Sequence, residues 1–99
     1  MEKLFHLTVF SQDRILHEGE VSTVLAPGEL GYMGILAHHA PLVSCLRPGR
    51  VEWKEPGGPK TILESKAKGL VEVFKNKVIL ILDEAVVVRE KEGMGAIKV

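Results

Sequence analysis

Four short runs of this chain alternate apolar and polar residues almost one for one: "HLTVF" (6–10), "EVSTVLA" (20–26), "RVEWKE" (50–55) and "LVEVFK" (70–75). A period of two is the spacing of a pleated strand with one face buried, because successive side chains leave opposite faces. Val51 and Trp53 therefore share one face, with Glu52 and Lys54 on the other. Val71 and Val73 likewise oppose Glu72 and Phe74. β-Branched and aromatic residues gather in these runs, as a half-buried pleated surface favours. "KVILIL" is apolar after its lysine and reads as a strand buried on both faces. "EAVVVRE" reads as a shorter case of the same kind.

Turn residues separate the runs at short intervals. Pro27-Gly28, Gly31, Gly34, Pro48-Gly49, "PGGP" (56–59), Gly69 and Asn76 all stand at run boundaries. Asn76, in "KNK" between two strand patterns, predicts a tight hairpin. About ten candidate strands start near Leu4, Arg14, Glu20, Tyr32, Leu42, Gly49, Lys60, Gly69, Lys77 and Glu84, with ends placed to within ~2–4 residues. No long helical pattern, internal repeat, low-complexity tract or linker competes. The expected fold is all-β, an antiparallel β-sandwich of about ten strands over residues 1–90, followed by a short tail, 91–99. Its expected core is Val9, Val21, Val24, Leu36, Leu42, Leu46, Val51, Trp53, Val71, Val73, Val78, Leu80 and Leu82.

Composition limits function. A chain of 99 residues, 45% of them hydrophobic, supports one small domain with a packed core. Thirteen basic and thirteen acidic side chains cancel. That balance leaves no electrostatic footprint for nucleic acid or an anionic membrane. One cysteine, Cys45, excludes an internal disulfide, and a reducing compartment is the natural setting. The opening "MEKLFHLTVF" lacks the apolar continuity of a secretory signal, and no apolar run approaches the ~20 residues of a membrane helix.

Chemistry-bearing residues are sparse. His6, His17, His38 and His39 are the only histidines. Adjacent residues of a strand point to opposite faces, so His38 and His39 do not make a ligand pair there, and no C-x-x-C, H-E-x-x-H or H-x-H spacing occurs. Cys45, in "LVSCLRPG", reads as a buried structural thiol. "PGELGYMG" lacks the Gly-Lys-Ser/Thr of a phosphate loop, and no helix pattern follows it. Its glycines instead let a strand bend. The carboxylates Asp13, Glu18, Glu20, Glu29, Asp83 and Glu84 cannot be paired from spacing. No catalytic residue, metal site or cofactor is expected. Residues alone define a binding module, with a small β-sandwich that takes a ligand or a metal as the alternative use of such a chain.

Several motifs occur in a specific order. "LTVFS" (7–11) is followed by Gly19-Glu20-Val21, then Gly31, Gly34, Ile35 and Leu36. His39-Ala40-Pro41-Leu42, Leu46-Arg47-Pro48-Gly49 and finally "GLVEVFKNKVILILDEA" complete the series. In this order they resemble the N-terminal β-sandwich domain of the epsilon subunit of the F-type ATP synthase, over residues 5 to about 90. Two turns depart from the family pattern. Ala37-His38 stands where Pro-Gly is common, and Ala67-Lys68-Gly69 replaces Ser-Gly-Gly.

The resemblance implies a non-catalytic rotor subunit of the central stalk, one copy in a hetero-oligomeric complex. It would link the gamma subunit to the c-ring at the cytoplasmic face of a bacterial inner membrane. The implied c-ring contacts are Tyr32, Met33, Gly34, His39 and Pro41, with the Glu29–Gly34 loop and the His38–Pro41 corner at one end of the sandwich. The implied gamma contacts are Ser11, Leu42 and Ser44. Family members usually continue into a two-helix hairpin, which in many bacteria inhibits hydrolysis and in some binds ATP. "KEGMGAIKV", all that follows "EAVVVRE", is shorter than the ~12 residues of a marginal helix and carries two glycines. Rotation coupling without hairpin inhibition or ATP sensing is the expectation.

Overall fold

Three of the four alternating runs each build one strand, while "EVSTVLA" breaks at Ser22 and is shared between two. A computed structural model describes residues 2–12 and 14–92, the stretch 86–92 at backbone level. In chain order the strands are β1 (Phe5–Ser11), β2 (Arg14–Val21), β3 (Thr23–Gly28), β4 (Gly31–Leu36) and β5 (Leu42–Leu46). There follow β6 (Gly49–Lys54), β7 (Lys60–Ser65), β8 (Gly69–Phe74), β9 (Lys77–Leu82) and β10 (Ala85–Glu92). No helix occurs among the described residues. β10 takes in the first two residues of the expected tail, and 93–99 lie outside the described residues.

The strands form one hydrogen-bonded path, β10-β7-β6-β3-β5-β8-β9-β1-β2, with β4 paired to the side of β3. The path curls on itself at a narrow link, where β3 meets β5 through Gly28 and Leu46. One half is then β4-β3-β6-β7-β10 and the other β5-β8-β9-β1-β2. Their inner faces share one core: Val24, Ala26, Ile35, Val51, Trp53 and Leu63 from the first half meet Phe5, Leu7, Val9, Val71, Leu80 and Leu82 from the second. This closure removes the apolar faces that separate sheets would leave wet.

The all-β sandwich stands as expected, with differences of detail. β1 and β9 pair in parallel, from His6 opposite Lys77 to Ser11 opposite Leu82, so the sheet is not wholly antiparallel. Strands far apart in sequence need no turn between them, and turn signals cannot report their direction. β9 is buried on one face only: Val78, Leu80 and Leu82 enter the core while Ile81 is 47% exposed. An unbroken apolar run hides which face is wet. On β4 the core residue is Ile35; Leu36 is exposed and Leu42 half-buried. Phe5, Leu7, Ala26 and Leu63 also join the core.

Turns gather at two ends. The Glu29–Leu30, Arg47–Pro48, Lys66–Lys68 and Asp83–Glu84 connections lie at one, with Gln12. Ser22, the 37–41 corner, the 55–59 turn and Lys75–Asn76 lie at the other, beside Leu4. Lys75 and Asn76 both hold positive φ, 51° and 61°, the signature of a two-residue hairpin turn. Asn76 then ties three segments together. Its Nδ2 donates to the Leu4 carbonyl at 3.0 Å, its Oδ1 accepts from His38 N at 2.7 Å, and its carbonyl accepts from His6 N at 3.2 Å.

Candidate interaction surface

The outward positions of the second half carry apolar side chains in register. Cys45 on β5 is opposite Leu70 on β8, and Leu70 is opposite Ile81 on β9. Ile81 is opposite Phe10 on β1, and Phe10 is opposite Ile15 on β2. At the ~4.8 Å spacing of neighbouring strands this row runs on the order of 20 Å across the face. Ile15 is 53% exposed, and Val43, beside the row on β5, is 67% exposed. Single exposed apolar residues are ordinary, but a row spanning five strands marks a contact surface. The two ladders below it turn polar: Val43-Glu72-Ile79-Thr8-Glu18, then Phe74-Lys77-His6-Glu20. The apolar row therefore lies toward the Glu29–Leu30 end.

That end carries a second feature. Leu30, at the tip of the β3–β4 turn, is fully exposed. Behind it a hollow of about 350 Å³ is lined by Gly28, Glu29, Leu30, Gly31, Tyr32, Met33 and Ser44. Tyr32 is half-exposed, but its hydroxyl is engaged, accepting from Arg50 N at 2.9 Å. Gly49 leaves room for it: a Cβ there would stand 2.9 Å from that oxygen.

The residues nominated from sequence are split by the fold. Tyr32, Met33 and Gly34 lie on β4, toward the Leu30 end. His39 and Pro41 lie past the far end of β4, where His38 N meets Asn76. The Glu29–Gly34 loop and the His38–Pro41 corner are therefore not at one end, because β4 separates them. A glycine-spaced stretch reads as loop, and here most of it is strand. Ser11 is buried at 7%, and Leu42 and Ser44 take the inward positions of β5, with Ser44 opposite Val71. Their neighbours Val43 and Cys45 face outward. Cys45 is exposed, against the expectation of a buried thiol, because β5 presents that position to the wet face. The cross-strand row itself was missed, since it appears only once register is known.

The histidines scatter. His6 stands between Glu18 and Glu20, at 3.8 and 3.9 Å, in exposed contacts of little energetic weight. His17 packs on Trp53, ring centroids 5.1 Å apart. Among the described residues no group of three or more His, Cys, Asp or Glu is placed to hold a metal ion.

A curled all-β sandwich with an apolar row across the outer face of one half has the form of a docking domain. Residues 4–88 match the family described as ATP synthase, Delta/Epsilon chain, beta-sandwich domain, and the chain belongs to that family. Among curated relatives, the ATP synthase epsilon chain of Dichelobacter nodosus is 38% identical over 85 residues, 86% of this chain and 59% of that one. That of Laribacter hongkongensis is 31% identical over 81 residues, 82% of this chain and 58% of its own. The chain thus spans about three-fifths of the length of these relatives. Among solved structures, a chain of the Euglena gracilis mitochondrial ATP synthase, OSCP/F1/c-ring, superposes with a TM-score of 0.79 at 29% identity, covering 85% of this chain and 53% of that one. A chain of the Tetrahymena thermophila mitochondrial ATP synthase central stalk/c-ring shares the fold, with a TM-score of 0.68 at 14% identity, covering 98% and 79%.

Proposed function

We propose that this chain is a non-catalytic central-stalk subunit of an F-type ATP synthase, linking the gamma subunit to the c-ring and turning with them. The observation that carries the reading is the apolar row from Cys45 to Ile15, a surface made for a protein partner, in a member of the epsilon family. Gamma packs on this row, beside Val43. Ser11, Leu42 and Ser44, the contacts that the resemblance implies, support it from beneath. The c-ring meets the Leu30 end, where Tyr32, Met33 and Gly34 adjoin the turn; His39 and Pro41 stand away from that contact. The domain is 1–90, peripheral to the membrane on its cytoplasmic face. No helix among the described residues is long and apolar enough to cross a membrane.

The test is association of the chain with isolated gamma subunit, wild type against Leu70→Asp with Ile81→Asp. Both side chains point outward, so the fold survives, which circular dichroism verifies. A charge left unpaired in a desolvated patch costs several kcal/mol, so a loss of affinity above tenfold is expected. Unchanged affinity rejects the face.

A further inference from the structure

Among the described residues the lateral edges of the sandwich are β2, β4, β5 and β10, and they are not alike. An edge strand offers unpaired backbone groups to any other strand, and proteins blunt such edges with charge, proline, bulges or brevity. β2 carries Arg14, Glu18 and Glu20, and its pairing to β1 shifts register between Val9 and Phe10. β10 shifts register twice against β7 and carries Arg89, Glu90, Lys91 and Glu92 in its sequence. β5 is five residues long and lies between Pro41 and Pro48. β4, "GYMGIL", has none of these devices: no charge, no proline, and unbroken register with β3 from Leu36 opposite Thr23 to Gly31 opposite Gly28.

The backbone groups at this edge can be assigned. Arg47 N donates to the Pro27 carbonyl at 2.8 Å from the side of β3 away from β4. Pro27 therefore directs its backbone away from β4, and its partner Tyr32 directs its own outward too. By alternation Gly34 and Leu36 do the same. The Leu36 carbonyl agrees, since it accepts from His39 N at 3.2 Å rather than from β3. Tyr32 and Gly34 are left, each with an N–H and a C=O facing out, and no strand among the described residues covers them.

We propose that β4 is a pairing edge for a second copy of this chain, through an antiparallel two-fold contact centred on Met33. In that register Tyr32 exchanges both backbone hydrogen bonds with Gly34 of the second copy, and Gly34 does so with its Tyr32. The Leu36 carbonyl, already engaged, is not needed. Leu30, in the turn just before β4, comes to the end of the copy's strand where Leu36 stands, so the fully exposed and the 61% exposed leucine become neighbours, twice. β4 carries no charged residue, so no like charges meet along the paired strands. The absence of charge along the strand, adverse for a lone edge, suits a strand that must face itself. The pairing joins the two β4-β3-β6-β7-β10 halves into one sheet. It also covers Leu30 and Tyr32, so dimer and stalk-bound subunit are alternative states, and self-pairing belongs to the free chain.

The experiment is sedimentation of the free chain over a range of concentrations, alongside amide hydrogen exchange. Mass should rise from 10.9 kDa toward twice that value, while the Tyr32 and Gly34 amides slow at least tenfold. Gly34→Pro removes an N–H that the β3 ladder does not use, so the variant should fold and remain a monomer. A single 10.9 kDa species at every concentration overturns the proposal. So does a dimer that survives Gly34→Pro but is lost with Ile81→Glu, which would place self-association on the apolar row instead. Exchange in the wild type decides the matter should Gly34→Pro misfold: unchanged Tyr32 and Gly34 amides in a dimer refute edge pairing.

Discussion

His38 holds a backbone conformation made for glycine, with φ at +64°. A side chain there crowds the following carbonyl, at a cost of roughly 1–2 kcal/mol. In sequence, Ala37-His38 stood out only as a departure from the family's Pro-Gly turn; the left-handed backbone at His38 appears in the fold. His38→Gly should stabilise the chain by about 0.5–1 kcal/mol, the relief of strain exceeding the added unfolded-state entropy. Urea denaturation checks this, and a lower midpoint would refute it. Asn76 shows what was not legible. "KNK" announced the hairpin, but nothing local announced that its carboxamide reaches Leu4 and His38, far away in the chain. Asn76→Ala should lose about 2–3 kcal/mol, from two hydrogen bonds worth ~1 each and the left-handed strain that alanine adds. Asn76→Gly, free of the strain, should lose about 1 kcal/mol less.

Strands tell two glycines apart that sequence cannot. Gly34 and Gly69 both read as punctuation at run boundaries. In the fold Gly34 faces open space, with nothing within 4 Å of a Cβ built there. A Cβ on Gly69 would lie 2.6 Å from the Ile81 carbonyl oxygen of the neighbouring strand. That atom is backbone and cannot swing aside, so β8 and β9 would have to separate. Gly69→Ala should therefore cost about 1–3 kcal/mol, and Gly34→Ala should be neutral or gain up to ~1 kcal/mol. Thermal unfolding separates them, since 1 kcal/mol moves the midpoint by about 4–8 °C in a domain this size. Equal midpoints would show that the strands do not approach as described. Alternation succeeded where polar residues marked the wet face, as at Glu52 and Lys54 on β6 or Glu72 on β8. It failed on β9, where Ile79 and Ile81 hide that face, and at the end of β4, where adjacent Ile35 and Leu36 leave the phase open.

At the scale of the molecule, the all-β class and nearly every strand were readable, because turn residues punctuate the chain. The parallel β1–β9 pair and the apolar row were not, because both arise from register between distant strands. The row needs only Cys45, Leu70, Ile81, Phe10 and Ile15, five residues that no local window contains. Topology also separates the two surfaces of the proposed function. The face proposed for gamma is the outer side of β5-β8-β9-β1-β2, while the end proposed for the c-ring is a turn at the tip of the β3–β4 hairpin. Leu30 and Ile81 share no strand pairing, so substitutions at the two should act independently. Ile81→Asp should lower affinity for gamma without altering the Leu30 end. Leu30→Asp should leave gamma affinity within twofold of wild type and, in reconstituted vesicles, weaken the coupling of ATP hydrolysis to ion pumping. The double variant should show both defects, with their free energies additive to within about 0.5 kcal/mol. Gamma affinity lost with Leu30→Asp alone would mean that one continuous surface, wrapped from face to end, serves a single partner.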